Sequence, residues 1–572
     1  MFAGVVMFNS QRSLTSDQKS AIFQNLSRRP NEEITELDSK QAYIVSAKIG
    51  ALTDYNGILD GTPGNLSLLA GEPLGPSGNV AEDHEQLQKD LDQGTHSTLR
   101  SSRGVFCGVR YREDGEIPVL QLFSDKLGVR PVYYWRDDEM VVFATALRVL
   151  EALPFVPKVR DDAGVAETIA FGYPLAERTQ YRGVSVLREA EIVEFSASGM
   201  SRNCYWRWDQ VPAKEITNTD AVNQAYELFL DTINIRRRED REVGAFLSGG
   251  MDSRAIVAAL NVSGASVQSI NFSPDGSQDQ VLARAYAREI GIPFLSAPRK
   301  RNPKGGFRMA LTRFVRDCID RGEIKVDRPN GLWSGDGGSV GVGNVHLDDK
   351  LLALLRSGER RAAIKHYFRI SQIGYPYRLL KPETRKDISE LLYTGVENEL
   401  DRHECEDPGQ AMFLFLMSND QRKHLYDVYE DVDLHRLEYQ LPFFDGSFLE
   451  FMCGLSVDYR NNHRFYTDWF SVFPETTRAV PWQTYPEHVE CPLPIPEDLS
   501  YQWGPPPPQK FSTKLFSRIS SGVEVLGMAL DPTDLGPVPR SRLFALAAIQ
   551  LLGIKDYSYA VKAAAWYRGK IR

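Results

Sequence analysis

Up to about residue 208 the apolar positions fall into short runs or alternate with polar ones, as in "AYIVSAKIG", "GVFCGVRY", "IPVLQLFSD", "PVYYW", "MVVFATA" and "AEIVEFSASG". Runs of this length, set off by Gly, Pro, Asp and Asn, predict antiparallel strands in a β-rich or α+β domain. The polar, proline-bearing stretch "NCYWRWDQVPAKEITNTD" closes it, so residues 1–208 are expected to form one domain and 209–220 a linker. From 221 to 572 the grammar changes. "AVNQAYELFLDTINIRRR" has helical spacing, followed by the strand "VGAFL", the helix "SRAIVAALNV", the strand "VQSINFS" and the helix "QDQVLARAYAREIG". Strands and helices alternating at these lengths predict a parallel sheet wound with helices. Beyond Leu351 the segments are mostly helical, and "GPPPPQ" at Gly504 to Gln509 reads as a stiff spacer.

Length and composition narrow this picture. A chain of 572 residues exceeds one ordinary core, and 42% apolar with 25% charged residues is a globular profile. Acids outnumber Lys and Arg by 76 to 67, giving a net charge of -9 and a pI near 5.7, which argues against a nucleic-acid partner. The six cysteines are scattered without zinc-ligand spacing and are expected to be reduced, with Cys107 a packed core thiol. No run approaches the ~18–20 apolar residues of a membrane span. A cytoplasmic protein without a membrane partner is therefore expected.

The stretch with the most chemistry is "FLSGGMDSRA". A strand that ends in Ser248-Gly249-Gly250 and opens a helix presents backbone N–H groups and a helix N-terminus to an anion. Asp252 would repel phosphates unless a cation lay between them, and Mg²⁺ suits one or two carboxylates plus phosphate oxygens. The turn is not a Walker loop, which requires G-x-x-x-x-G-K-S/T. The string "LSGGMDS", Leu247 to Ser253, resembles the pyrophosphate-binding motif of ATP pyrophosphatases.

Further stretches resemble the asparagine synthetase family in the same order. "SDKLGVRPVYYW", "VVFATALRVL" and "YRGVSVL" are similar to segments of its first domain, and "WSGDGGSVGVG" and "LEYQLPFFD" to loops of its second. The resemblance implies an Ntn-type αββα sandwich, a class II glutamine amidotransferase-like domain. An α/β ATP-pyrophosphatase (adenine nucleotide α-hydrolase-like) domain with a helical C-terminal part would follow. It implies ATP and Mg²⁺ as cofactors, with Leu247, Ser248, Gly249, Gly250, Asp252, Ser253, Ile270 and Gly335 around ATP and Asp252 on the metal.

The departures carry the functional expectation. Members that hydrolyse glutamine use a cysteine after the initiator methionine; here Phe2 stands there. A domain without that nucleophile is expected to release no ammonia, as in β-lactam synthetase and the lasso peptide cyclases. These adenylate a carboxylate and let an amine already on the substrate attack it. The resemblance thus implies an AMP-forming amide ligase acting on a peptide or small-molecule carboxylate, with a precursor peptide and a maturation partner as candidate partners. Two alternatives stay open: an amidotransferase using ammonia or a separate amine, and a degenerate scaffold.

By the same resemblance Glu438 and Asp336 are catalytic candidates, expected to work as a carboxylate pair. The family's late lysine is missing, with Arg478 its nearest substitute and Lys510 and Lys514 further downstream. Ser339 stands where relatives carry a second metal-binding aspartate, so serine and water complete the shell, or Asp348 or Asp349 reaches in, or metal binding is weakened. Asp279 is expected to cap a helix, and the backbone of Ile270 to Phe272 to meet adenine. Trp482, Tyr485 and His488 either line a pocket or pack. "RRRED" from Arg236 reads as a solvated helix end.

Overall fold

The computed structural model describes residues 1–8, 13–29, 32–49, 51–60, 64–114, 117–297, 306–371, 373, 382–496 and 499, with 539–552 and scattered positions between 519 and 530. The polyproline stretch, Lys510 and Lys514 lie outside the described residues.

Two six-stranded antiparallel sheets form the first layers. One runs Val184–Val186, Tyr133–Arg136, Met140–Ala144, Phe2–Met7, Ala42–Ala47, Ile34–Asp38 in spatial order. The other runs Gly199–Cys204, Glu191–Ser196, Ile117–Ser124, Phe106–Asp114, Asn65–Gly71, Ile58–Asp60. Phe2–Met7 is central and buried along its whole length, which is why "FAGVVM" is continuously apolar rather than alternating. Its Phe2 and Val6 face the second sheet, beside Leu122 and Val193, while Val5 faces helices Ser16–Leu26 and Leu147–Ala152. Helix Val80–Gln93 covers the far face of the second sheet through Leu87 and Leu91. Thr15 and Gln18 form a capping box on the first helix, and Asn79 caps Val80–Gln93, so both start where the sequence supplies a side-chain acceptor. The result is an αββα sandwich.

The third sheet is parallel, ordered Phe294–Ser296, Ser266–Asn271, Glu242–Phe246, Gly331–Trp333, Glu438–Gln440. From its middle strand the chain builds outward first to one side and then to the other. The C-terminal end of Glu242–Phe246 is therefore the topological switch point, where open α/β sheets hold ligands. Beyond it come the helices Asp349–Arg356, Arg360–Ile370, Pro382–Asp401 and Pro408–Phe415, the last continuing into a π-helical turn at Leu416–Gln421.

Arginine–carboxylate pairs stitch the sandwich to the rest. Arg28 meets Asp433 at 2.7 Å, Arg188 meets Glu399 at 2.9 Å and Arg130 meets Glu438 at 2.6 Å. Arg236 corrects the reading of "RRRED" as solvated: it is 2% exposed and donates to Asp445 at 2.7 Å. The helix Asn218–Arg237 turns that position inward, where only a paired cation is tolerable. Cys107 is fully buried in the sandwich, and burial pushes its thiol up to about 12, so it is no nucleophile. Among the described residues no helix is long and apolar enough to cross a membrane.

Candidate active site

The loop after strand Glu242–Phe246 is folded by its own side chains. Ser248 N–H donates to Ser253 Oγ at 2.8 Å, and the two hydroxyls are 2.9 Å apart. Gly250 N–H donates to Ser248 Oγ at 3.3 Å. Gly249 N–H reaches across to Asp279 Oδ1 at 2.7 Å. This corrects the capping role expected of Asp279: Ser277 caps helix Gln278–Glu289, and Asp279, also held by the Ser273 hydroxyl, tethers the turn. Gly250, which has no side chain, is the N-cap of helix Met251–Val262, so no capping side chain occupies this helix N-terminus, the kind of end that suits an anion.

Asp252 sits in that first turn. Its Oδ2 accepts from Ser339 Oγ and its Oδ1 from Tyr466 OH, both at 2.6 Å. Loss of water around the carboxylate raises it from 3.8 to about 6 despite these donors. The loop Ser334–Ser339 wraps it closely. A Cβ on Gly335 would lie 2.7 Å from Ser253 N, and one on Gly338 would lie 2.6 Å from Asp252 Oδ1, so glycine is required at both. Ser339 fills the expected aspartate position by donating to Asp252. Neither Asp348 nor Asp349 substitutes for that aspartate: the first caps helix Asp349–Arg356 and pairs with His366, and the second accepts from Asn461.

Asp252, with the Ser339 and Tyr466 hydroxyls beside it, is the carboxylate that would hold a magnesium ion here, the metal supplying positive charge to phosphate oxygens. Among the described residues no group of three or more His, Cys, Asp or Glu could hold a metal alone.

The segment 477–489 lies over this loop. Gln483 N–H donates to Gly249 O at 2.8 Å, and Tyr485 OH to Ser339 Oγ at 3.3 Å. Tyr485 and His463 stack with ring centroids 5.5 Å apart and planes nearly parallel, and both line a cavity of about 100 Å³ with Ser248, Gly250, Asp252 and Ser339. Ordinary ligand pockets measure ~300–1,000 Å³. The space is on the scale of phosphate groups rather than a whole nucleotide. Trp482 packs on Phe470 in the core instead.

The root of this segment is held by Arg254, which sequence reasoning missed. Fully buried, it donates to the carbonyls of Val480 at 2.6 Å and Pro481 at 2.8 Å and lies over the Tyr286 ring. Arg478, proposed as the late cation, is exposed: Thr477 and Val480 take the inward positions there. Arg254→Met is expected to cost about 2–4 kcal/mol by stranding the carbonyls. A lower urea midpoint and faster proteolysis within 483–489 check this.

Other candidates also move. Ile270 is buried and its carbonyl accepts from Leu247 N–H at 2.9 Å, while Leu247 O accepts from Asn271 Nδ2 at 2.9 Å. Sheet pairing therefore occupies the Ile270 carbonyl, one of the backbone groups of Ile270 to Phe272 expected to meet adenine. Glu438 is bonded to Arg130 of the sandwich, and Asp336 accepts from Ser334 Oγ at 2.7 Å with His424 Nε2 at 3.6 Å.

An αββα sandwich is joined to a parallel sheet with a Ser-Gly turn at its switch point, which defines a two-part chain. Residues 77–206 match the glutamine amidotransferase domain family and 224–296 the asparagine synthase family. It is 30% identical over 137 residues to glutamine-hydrolyzing asparagine synthetase 3 of Bacillus subtilis (strain 168), covering 23% of this chain and 22% of that protein. It is 24% identical over 229 residues to asparagine synthetase 1 of the same strain, covering 39% and 35%. The chain thus aligns with about a fifth to a third of these relatives' length. The solved glutamine phosphoribosylpyrophosphate amidotransferase of B. subtilis overlaps 59% of this chain and 71% of its own at 11% identity, with a TM-score of only 0.20.

Proposed function

We propose that the protein is an ATP-dependent, AMP-forming amide ligase that joins a carboxylate to an amine carried by the same substrate. The observation that carries this reading is the uncapped N-terminus of Met251–Val262 with Asp252 in its first turn. Backbone N–H groups and the helix dipole favour a leaving pyrophosphate there. Magnesium, bound through Asp252 and phosphate oxygens, would supply the compensating positive charge. A carboxylate oxygen attacks the α-phosphorus, the bond to the β-phosphate bridge breaks, and pyrophosphate leaves. The amine nitrogen then attacks the acyl carbon and AMP departs.

The source of the amine follows from Phe2. Its ring is 1% exposed and packed toward Phe143 between the two sheets, so the position that holds the thiol in glutamine-hydrolysing members is part of the core. The amine must then arrive with the substrate, as in lasso peptide cyclases, with a precursor peptide as substrate and a maturation protein as partner. A panel of peptides and small molecules with free carboxylates, incubated with ATP and Mg²⁺, tests this. The product expected is the substrate less one water, without any added amine. Incorporation of ¹⁵N from labelled ammonium would favour the amidotransferase reading instead.

A further inference from the structure

Among the described residues, no lysine or arginine lines the cavity at the Ser248–Ser253 turn. Ser248 is engaged with Ser253, and Ser339 with Asp252 and Tyr485. His463 differs from them. It is only 5% exposed, yet neither ring nitrogen has a hydrogen-bond partner among the described residues, and neither is sealed from solvent as His488 Nε2 is. Since the ring lines the cavity, that residual access is to the cavity.

The fold takes trouble to hold the ring there. Tyr466 and Tyr485 both stack on it, with centroids 5.5 Å away and planes inclined at 29° and 4°, and their hydroxyls end on Asp252 and Ser339. Gly343 gives the imidazole room, because a Cβ at that position would lie 2.4 Å from Nε2. Asn462 and His463 follow one another in the left-handed region, at φ 52° and 61°. Such backbone is uncommon outside glycine even for these residue types, and it clusters at ligand clamps.

We propose that His463 is a phosphate ligand of the pyrophosphate grip, its imidazole donating a ring N–H to a phosphate oxygen in the cavity. The inference rests on the ligase reading above. Burial, with His488 adjoining at 4.6 Å, pulls the imidazole from 6.5 down to about 3, so near pH 7 the ring is neutral and has one N–H to give. A fixed cation beside Asp252 would compete with the metal for that carboxylate. A neutral N–H bonds the phosphate without doing so.

The test titrates inorganic pyrophosphate with Mg²⁺ into the full chain by calorimetry near pH 7. His463→Phe keeps a ring in the stack and removes the N–H, so binding is expected to weaken about 10–100-fold, the range for a hydrogen bond to a charged group. His463→Asn keeps an N–H donor and tolerates positive φ, and it should recover part of that loss. A role in packing alone would rank phenylalanine above asparagine. In wild type labelled with ¹⁵N-histidine, one of the nine histidine ring signals, the one missing from either variant, should shift when pyrophosphate is added. If wild type binds pyrophosphate while no histidine signal responds, or His463→Phe binds within about twofold of wild type, the assignment is overturned. No binding of magnesium pyrophosphate by wild type would instead overturn the ligase reading, and this proposal with it.

Discussion

Asp252→Asn is expected to reduce carboxylate-dependent pyrophosphate exchange by about 10²–10³-fold, the scale of removing one transition-state electrostatic partner. The amide keeps the shape and can accept from one of Ser339 and Tyr466, the other hydroxyl turning to accept from its NH2, but it lacks the charge that brings a cation to the phosphates. The same substitution should not weaken the fold. A carboxylate raised from 3.8 to about 6 disfavours its charged form in the native state, so stability falls as pH rises from about 3.8 through about 6. Above that, in metal-free buffer, native Asp252 destabilises the protein and asparagine does not. Thermal unfolding at pH 7–8 should therefore show an equal or higher midpoint for Asp252→Asn. Exchange within tenfold of wild type, or a clearly lower midpoint, would contradict the assigned role.

Asp445→Ala is expected to act on the fold instead, costing about 3–5 kcal/mol. The carboxylate is fully buried, accepts from Arg236 at 2.7 Å and Arg103 at 3.1 Å, and caps helix Gly446–Gly454 through Ser447 and Phe448 N–H. Arg103 has a second acid in Asp231 at 2.5 Å; Arg236 would be left buried and uncompensated. The seam is close as well, since a Cβ on Gly446 would come within 2.9 Å of Ser102 O. The urea midpoint should fall, and Arg236→Met in the Asp445→Ala background should recover part of the loss. A change of about 1 kcal/mol or less in the single variant would mean that the seam is held by its other ion pairs.

Much of the architecture was legible because local pattern and tertiary role agree. "VGAFL", "SGGMDS" and "SRAIVAALNV" read as strand, turn and helix, and the strand, turn and helix fall there. Partners distant in the chain were not legible. Nothing near "LEYQLPFFD" indicates that Glu438 is claimed by Arg130, 308 positions away. Arg254 reads as an ordinary helix cation, because its three carbonyl acceptors come from a segment over 220 residues later. Arg478 was chosen for its place near the expected lysine, yet the fold spends the inward positions of that turn on Thr477 and Val480.

The identity of the phosphorus products tests the central claim most directly. With wild-type protein, Mg²⁺, ATP and an active carboxylate, ³¹P NMR should show AMP and pyrophosphate in equal amounts, matching the amide formed. Formation of ADP and inorganic phosphate would contradict it, because cleavage at the γ-phosphate leaves no acyl–AMP and gives the grip around Ser248 to Ser253 no pyrophosphate to hold.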